Sequence, residues 1–209
     1  RKGDNVAIIG ETGSGKTSLA KLFMEFYSPD KGHIYVDGAE LQNFEVQEIR
    51  KAVVYVSQED FLFTASVREN LKMGNEEISD EEMIEISRKM GVHQFVSKME
   101  RAYDSVLEER GKNLSKGQRQ KLSLTRAILR HPKILILDEA TSNMDSISER
   151  EILNYIKGIR DITLILISHR INVIADSDCI YVLQKGNIVA RGTDKQLKEQ
   201  CKLYRQLYG

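Results

Sequence analysis

The sequence has little cysteine, little proline, no net charge and no long apolar run, and each shortage excludes something. Its 209 residues hold two cysteines, Cys179 and Cys201, far apart in the chain. They form neither a CxxC pair nor a ligand cluster, so a disulfide framework and a structural zinc site are excluded, and two reduced thiols of a cytosolic compartment are expected. Pro29 and Pro132 are the only prolines, and no flexible linker is visible. Lys plus Arg is 31 and Asp plus Glu is 31, so no global field draws the chain to nucleic acid or anionic lipid. The longest apolar stretch, Ile162-Thr163-Leu164-Ile165-Leu166-Ile167, is far short of the ~20 residues that cross a bilayer. No signal-peptide pattern opens the chain. It starts at Arg1-Lys2-Gly3 without Met, and the expectation is a domain cut from a longer protein.

What is present is ordinary globular material, 41% hydrophobic, arranged in alternating patterns. Apolar runs at 6–9, 53–57, 134–137, 163–167 and 180–183 predict strands, with another strand at 33–36. Helical stretches are predicted at 16–26, 46–50, 115–129, 146–157 and 194–208. Ser79-Asp80-Glu81-Glu82 reads as a helix start, and Ser146-Ile147-Ser148-Glu149 as a capping box. Lys185-Gly186-Asn187 reads as a hairpin turn into a strand at 188–190. The middle, about 60–130, is rich in Glu, Lys, Met and Ser and reads as helices alone. Strands alternating with helices predict an α/β fold with a mainly parallel sheet and an inserted helical lobe.

Two segments carry chemistry. Gly10-Glu11-Thr12-Gly13-Ser14-Gly15-Lys16-Thr17 fits the phosphate-loop pattern and sits between a predicted strand and helix. Its glycines let backbone N–H groups turn onto phosphate oxygens, Lys16 supplies a charge for the β- and γ-phosphates, and Thr17 offers a hydroxyl to Mg²⁺. The helix that follows, from Lys16, Thr17 and Ser18 onward, points its N-terminus at the same phosphates. Ile134-Leu135-Ile136-Leu137-Asp138-Glu139 is an apolar strand ending in two acids. A buried strand has no cheap place for charge except its end, where Asp138 is placed to hold Mg²⁺ and Glu139 to polarise an attacking water. These residues predict a P-loop NTPase (RecA-like) core.

Leu114-Ser115-Lys116-Gly117-Gln118, continuing as Arg119-Gln120-Lys121-Leu122-Ser123, resembles the signature motif of ATP-binding cassette (ABC) proteins. The resemblance covers essentially the whole chain, with the parts in the family's order. The phosphate loop comes first, then Gln58 after a strand, the signature, the acidic strand, Ser142-Asn143-Met144-Asp145, and His169 after a strand. In that family two such domains pack head to tail around ATP. The resemblance implies that Ser115 and Gly117 face the γ-phosphate of the partner's ATP, that Gln118 belongs to the same nucleotide-binding set, and that Asp145 lies at the dimer seam. It also implies that Gln58 contacts Mg²⁺ and the attacking water, and that His169 reaches the γ-phosphate and orients Glu139. Phe61-Leu62-Phe63-Thr64-Ala65-Ser66-Val67-Arg68-Glu69-Asn70 and Glu109-Arg110-Gly111 resemble segments of exporter-type domains. His33, His93 and His131 carry no such implication.

The resemblance implies a core of residues 1–59 and 131–209, with a helical subdomain at 60–130. It implies ATP and Mg²⁺ as ligands, a second nucleotide-binding domain and transmembrane domains as partners, and a place on the cytoplasmic face of a membrane. No nucleic acid is expected. Two departures stand out. Lys116 occupies a position that is usually glycine, which leaves open an ATP-clamping half of an asymmetric heterodimer. The family's adenine-stacking aromatic lies well upstream, and only nine residues precede Gly10, so that residue is expected outside this sequence. A soluble ABC ATPase acting on DNA or ribosomes is the remaining alternative, against which the exporter-like segments weigh.

Overall fold

The computed structural model describes residues 2–58 and 61–208. The boundary expected between residues 59 and 60 lies outside the described residues. The elements run β1 (Asn5–Gly10), α1 (Lys16–Phe23), β2 (Tyr35–Val36), β3 (Ala39–Glu40), α2 (Val46–Ala52), β4 (Val53–Val56), α3 (Val67–Lys72), α4 (Asp80–Lys89) and α5 (His93–Val96). They continue with α6 (Lys116–Leu129), β5 (Ile134–Asp138), α7 (Ser146–Lys157), β6 (Thr163–Ile167), α8 (Ile171–Ile174), β7 (Cys179–Gln184), β8 (Asn187–Gly192), α9 (Asp194–Gln200) and α10 (Lys202–Tyr208).

The chain forms two compact units. The first comprises Arg1–Tyr55, Pro132–Asp138 and Asp161–Gly209. A six-stranded sheet is ordered β4-β5-β6-β1-β7-β8. β5, β6, β1 and β7 run parallel, and β8 returns antiparallel on β7 across the Lys185-Gly186 turn. The inner strands are buried along most of their length, which is why their sequences are unbroken Ile, Leu, Val and Ala rather than alternating. Ile8, Ala20, Met24, Ile49, Ile136 and Ile167 form one core cluster, so α1 and α2 are held by their apolar faces. Because β1, β5 and β6 are parallel, their C-terminal ends share one edge of the sheet, where α/β sheets place their ligands.

The second unit, Val56–His131 with Glu139–Arg160, is helical. Serines start three of its helices: Ser66, Ser79 and Ser115 each accept the N–H three residues on, from Glu69, Glu82 and Gln118. Each such cap contributes about 1 kcal/mol. Met83, Met90, Leu107, Leu122 and Leu129 are fully buried in this unit. Asn70, 1% exposed, holds the segment before α3 with both ends of its amide. Its Oδ1 accepts the Phe63 N–H at 2.9 Å, and its Nδ2 donates to the carbonyls of Phe63 and Ser66, each at 3.0 Å.

The structure corrects some local expectations. Asp145 caps α7, its Oδ1 accepting the Ser148 N–H at 2.9 Å, so no capping box forms at Ser146. A carboxylate one position earlier is the charge-assisted acceptor, and Glu149 turns inward instead, 1% exposed. The tail is two helices, because Cys201 is extended (φ −114, ψ 108). There Tyr204 is buried and donates its hydroxyl to Asp194 at 2.7 Å. The Asp37-Gly38 turn joins β2 to β3 in a two-stranded ribbon, of which only the first strand was foreseen.

Candidate functional site

The phosphate loop leaves β1 at Gly10 and enters α1 at Lys16. Gly10 cannot carry a side chain, since a Cβ there would lie 2.2 Å from the Leu183 carbonyl oxygen on β7. Gly15, at φ 101, is the N-cap of α1, and no side chain caps that helix. An uncapped first turn is what anion sites on helix N-termini require. Lys16 folds back over the loop, donating from Nζ to the carbonyls of Gly10 and Glu11 at 2.7 and 2.9 Å and to Ser14 Oγ at 3.4 Å. Ser14 is buried, and its carbonyl accepts the Gly186 N–H at 3.0 Å. The β7–β8 turn therefore braces the loop from outside. Thr12 and Thr17 are exposed, as is Ser18.

Thr17 Oγ1 donates to Asp138 Oδ2 at 2.7 Å, joining the start of α1 to the end of β5. Sequence reasoning missed the third member of this group. Tyr55 on β4 donates its hydroxyl to the same Oδ2 at 2.9 Å. Burial, and then the adjoining carboxylate, push the Tyr55 phenol well above its usual range, so it remains a donor. The available signal was a polar-tipped aromatic among the valines of Val53-Val54-Tyr55-Val56.

Asp138 is 8% exposed, and among the described residues its other oxygen, Oδ1, receives no hydrogen bond. No group of three His, Cys, Asp or Glu suited to a metal occurs among the described residues. One carboxylate beside one hydroxyl is the donor set that Mg²⁺ uses when substrate phosphates and water complete its shell, and the residues fit that ion.

His169 follows β6, which lies between β1 and β5, so it sits at the same sheet edge and is exposed. Ser168 Oγ accepts the Arg170 N–H at 3.1 Å and shapes this turn. Glu139 has a left-handed backbone (φ 53), uncommon for a residue with a Cβ and a mark of a constrained site. Gln58 is exposed two residues beyond β4.

The helical unit brings the other expected residues together. Ser115 and Gln118 form a capping box at the start of α6, with Gln118 Oε1 accepting the Ser115 N–H at 2.9 Å. Gly117 lies against the turn before α7, where a Cβ would come 3.1 Å from the Asn143 carbonyl oxygen. Asp145 is exposed, and the Ser148 N–H it accepts holds its carboxyl below the usual range. Lys116 is exposed and pairs with none of the described residues.

A phosphate loop between parallel strand and helix, with a carboxylate held to its threonine from the end of another strand, defines a P-loop nucleotide-binding fold. Residues 1–142 match the ABC transporter family. The heterocyst differentiation ATP-binding protein HepA of a Nostoc species is 42% identical over 200 residues, covering 95% of this chain and 33% of that protein. The mitochondrial iron-sulfur clusters transporter ABCB7 of Oryzias latipes is 38% identical, covering 99% of this chain and 28% of that protein. The solved structure of a bacterial Atm1-family ABC exporter with ATP bound superposes with a TM-score of 0.95 at 32% identity, covering 99% of this chain and 37% of that one. The chain belongs to the ABC transporter family, and it is similar to the ATP-binding domains of exporters. It spans about a third of the length of these relatives.

Proposed function

We propose that this chain is the motor of an exporter: it binds ATP with Mg²⁺, closes head to tail on a second nucleotide-binding domain, and hydrolyses ATP to drive export through transmembrane domains from the cytoplasmic face of a membrane. The observation that carries this reading is the Thr17–Asp138 hydrogen bond beside the lysine-closed phosphate loop. In this reading Gly10, Thr12, Gly13, Ser14, Gly15 and Ser18 line the phosphates. Lys16 exchanges its loop carbonyls for β- and γ-phosphate oxygens, which are better acceptors for an ammonium. Thr17 and Asp138 hold Mg²⁺, with Gln58 completing the set. That ion neutralises charge on the transferred phosphoryl group. Glu139 draws the proton of the attacking water, and His169 holds the γ-phosphate end of the site. Ser115, Gly117 and Gln118 present the N-terminus of α6 to the partner's ATP, with Asp145 at the seam. Residues 1–59 and 131–209 form the RecA-like core, with a helical subdomain at 60–130.

Lys116 favours a second reading, in which the partner is a different chain and the composite site using this signature clamps ATP rather than turning it over.

The test is Glu139→Gln, with phosphate release measured beside gel filtration in ATP and Mg²⁺. Hydrolysis should fall at least about 100-fold. ATP affinity should stay within about threefold. An ATP-dependent dimer should accumulate. Unchanged hydrolysis would overturn the assignment of the base.

A further inference from the structure

Gln120 lies one turn into α6 and is completely buried, among Leu122, Leu124, Ala127 and Ile128 on the same helix. A primary amide at such a place is retained only if its polar atoms are used. Its Oε1 accepts the backbone N–H of Asn143 at 3.0 Å, and its Nε2 makes a long contact of 3.5 Å to Ser142 Oγ. These are residues of the turn between β5 and α7. Within that turn the Ser142 N–H bonds the Glu139 carbonyl at 3.1 Å and the Met144 N–H bonds the Thr141 carbonyl at 3.1 Å. The Asn143 N–H, between them, goes to Gln120.

Two further contacts join the same pieces. Gly117 abuts the Asn143 carbonyl, where a Cβ would come to 3.1 Å. Lys121, the residue after Gln120, donates from Nζ to Ser148 Oγ at 2.9 Å, and the Ser148 N–H is the donor that Asp145 accepts. Three positions of α6 therefore grip the segment 142–148, one of them through a buried amide.

We infer that Gln120 is a positioning residue: by accepting the Asn143 N–H it fixes the turn that starts at the strained Glu139 and ends at Asp145 to the helix carrying Ser115 and Gly117. The inference rests on the proposed roles of Glu139 and the signature. It adds that base, signature and seam residue move as one piece, so that a displacement of α6 is felt at Glu139 without nucleotide contact by Gln120 itself.

The test is Gln120→Leu, which keeps the volume and removes both polar atoms, read by hydrogen exchange and steady-state kinetics. Exchange at the Asn143 amide should quicken about tenfold, with β5 unchanged. The kcat should fall about tenfold, with KM for ATP within about twofold. Gln120→Glu keeps an acceptor for the Asn143 N–H and should restore most of both. Exchange that does not change, or that quickens with kcat unaltered, overturns the inference. If the leucine protein does not fold, Gln120→Met serves for the same readouts. In the unaltered protein, an unprotected Asn143 amide overturns the inference outright. A Glu139→Gln protein that still hydrolyses ATP overturns the assignment of the base and leaves exchange at Asn143 to decide the role of Gln120.

Discussion

Lys116 stands exposed at the first position of α6, with Ser115 and Gly117 kept on either side. It makes no hydrogen bond or ion pair with the described residues, so its removal breaks none. Lys116→Gly should change ATP turnover less than about threefold, since a surface charge is worth only a few tenths of a kcal/mol when screened. A drop of two orders of magnitude, measured as phosphate release, would mean that the lysine acts on the partner's nucleotide. Asp138 is different, because Tyr55 and Thr17 converge on one oxygen and leave the other for an ion. If Asp138 holds Mg²⁺ as proposed, Asp138→Asn should raise the Mg²⁺ concentration needed for half-maximal turnover at least about tenfold. A magnesium titration at saturating ATP checks this.

At the scale of elements, α3 shows how one buried side chain sets a surface. Asn70 pins the segment that presents Phe61 and Phe63, which are exposed and packed edge to face at 4.8 Å between centroids. Asn70→Leu leaves the Phe63 N–H without its acceptor, while the Ser66 carbonyl keeps the backbone N–H of residue 70, and should cost about 2 kcal/mol by urea denaturation. The strands were legible in the sequence where burial on both faces makes them continuous runs, as at β1, β5 and β6. The phosphate loop was legible from its spacing, and the acid pair from its place at the end of an apolar strand. Tyr55 and Gln120 were not. Each is a polar group at an apolar position, and each finds its partner far along the chain, 83 residues away for Tyr55 and 23 for Gln120. The α7 cap was misplaced for a local reason: Asp145 and Ser146 are both good N-caps, and the choice between them depends on which backbone position turns out of the helix.

Across the whole molecule, several carboxylates are held below the ordinary values of 3.8 for aspartate and 4.5 for glutamate. Asp80 is lowered by its bonds to Lys72 and Arg68, Asp145 by the Ser148 N–H, and Glu69 by the Ser66 hydroxyl and N–H. A depressed pKa in the folded state means that the unfolded chain takes up protons first as pH falls. The stabilisation is therefore complete above the unfolded values and is lost as pH drops through the folded ones. The thermal midpoint should hardly respond to these groups between pH 7 and 5.5, and should fall steeply below about pH 4. A midpoint that is flat down to pH 3 would contradict the assignment. These pairs are solvent-facing, so added salt should shrink the effect. The brace between Gly186 and the Ser14 carbonyl bears on how this protein can be engineered. The Lys185-Gly186-Asn187 turn, exposed and some 170 residues from the phosphate loop, has the marks of a harmless place to insert a tag or a reporter. It is instead a remote handle on the nucleotide site: a probe spliced there would loosen the loop and register as weakened ATP binding.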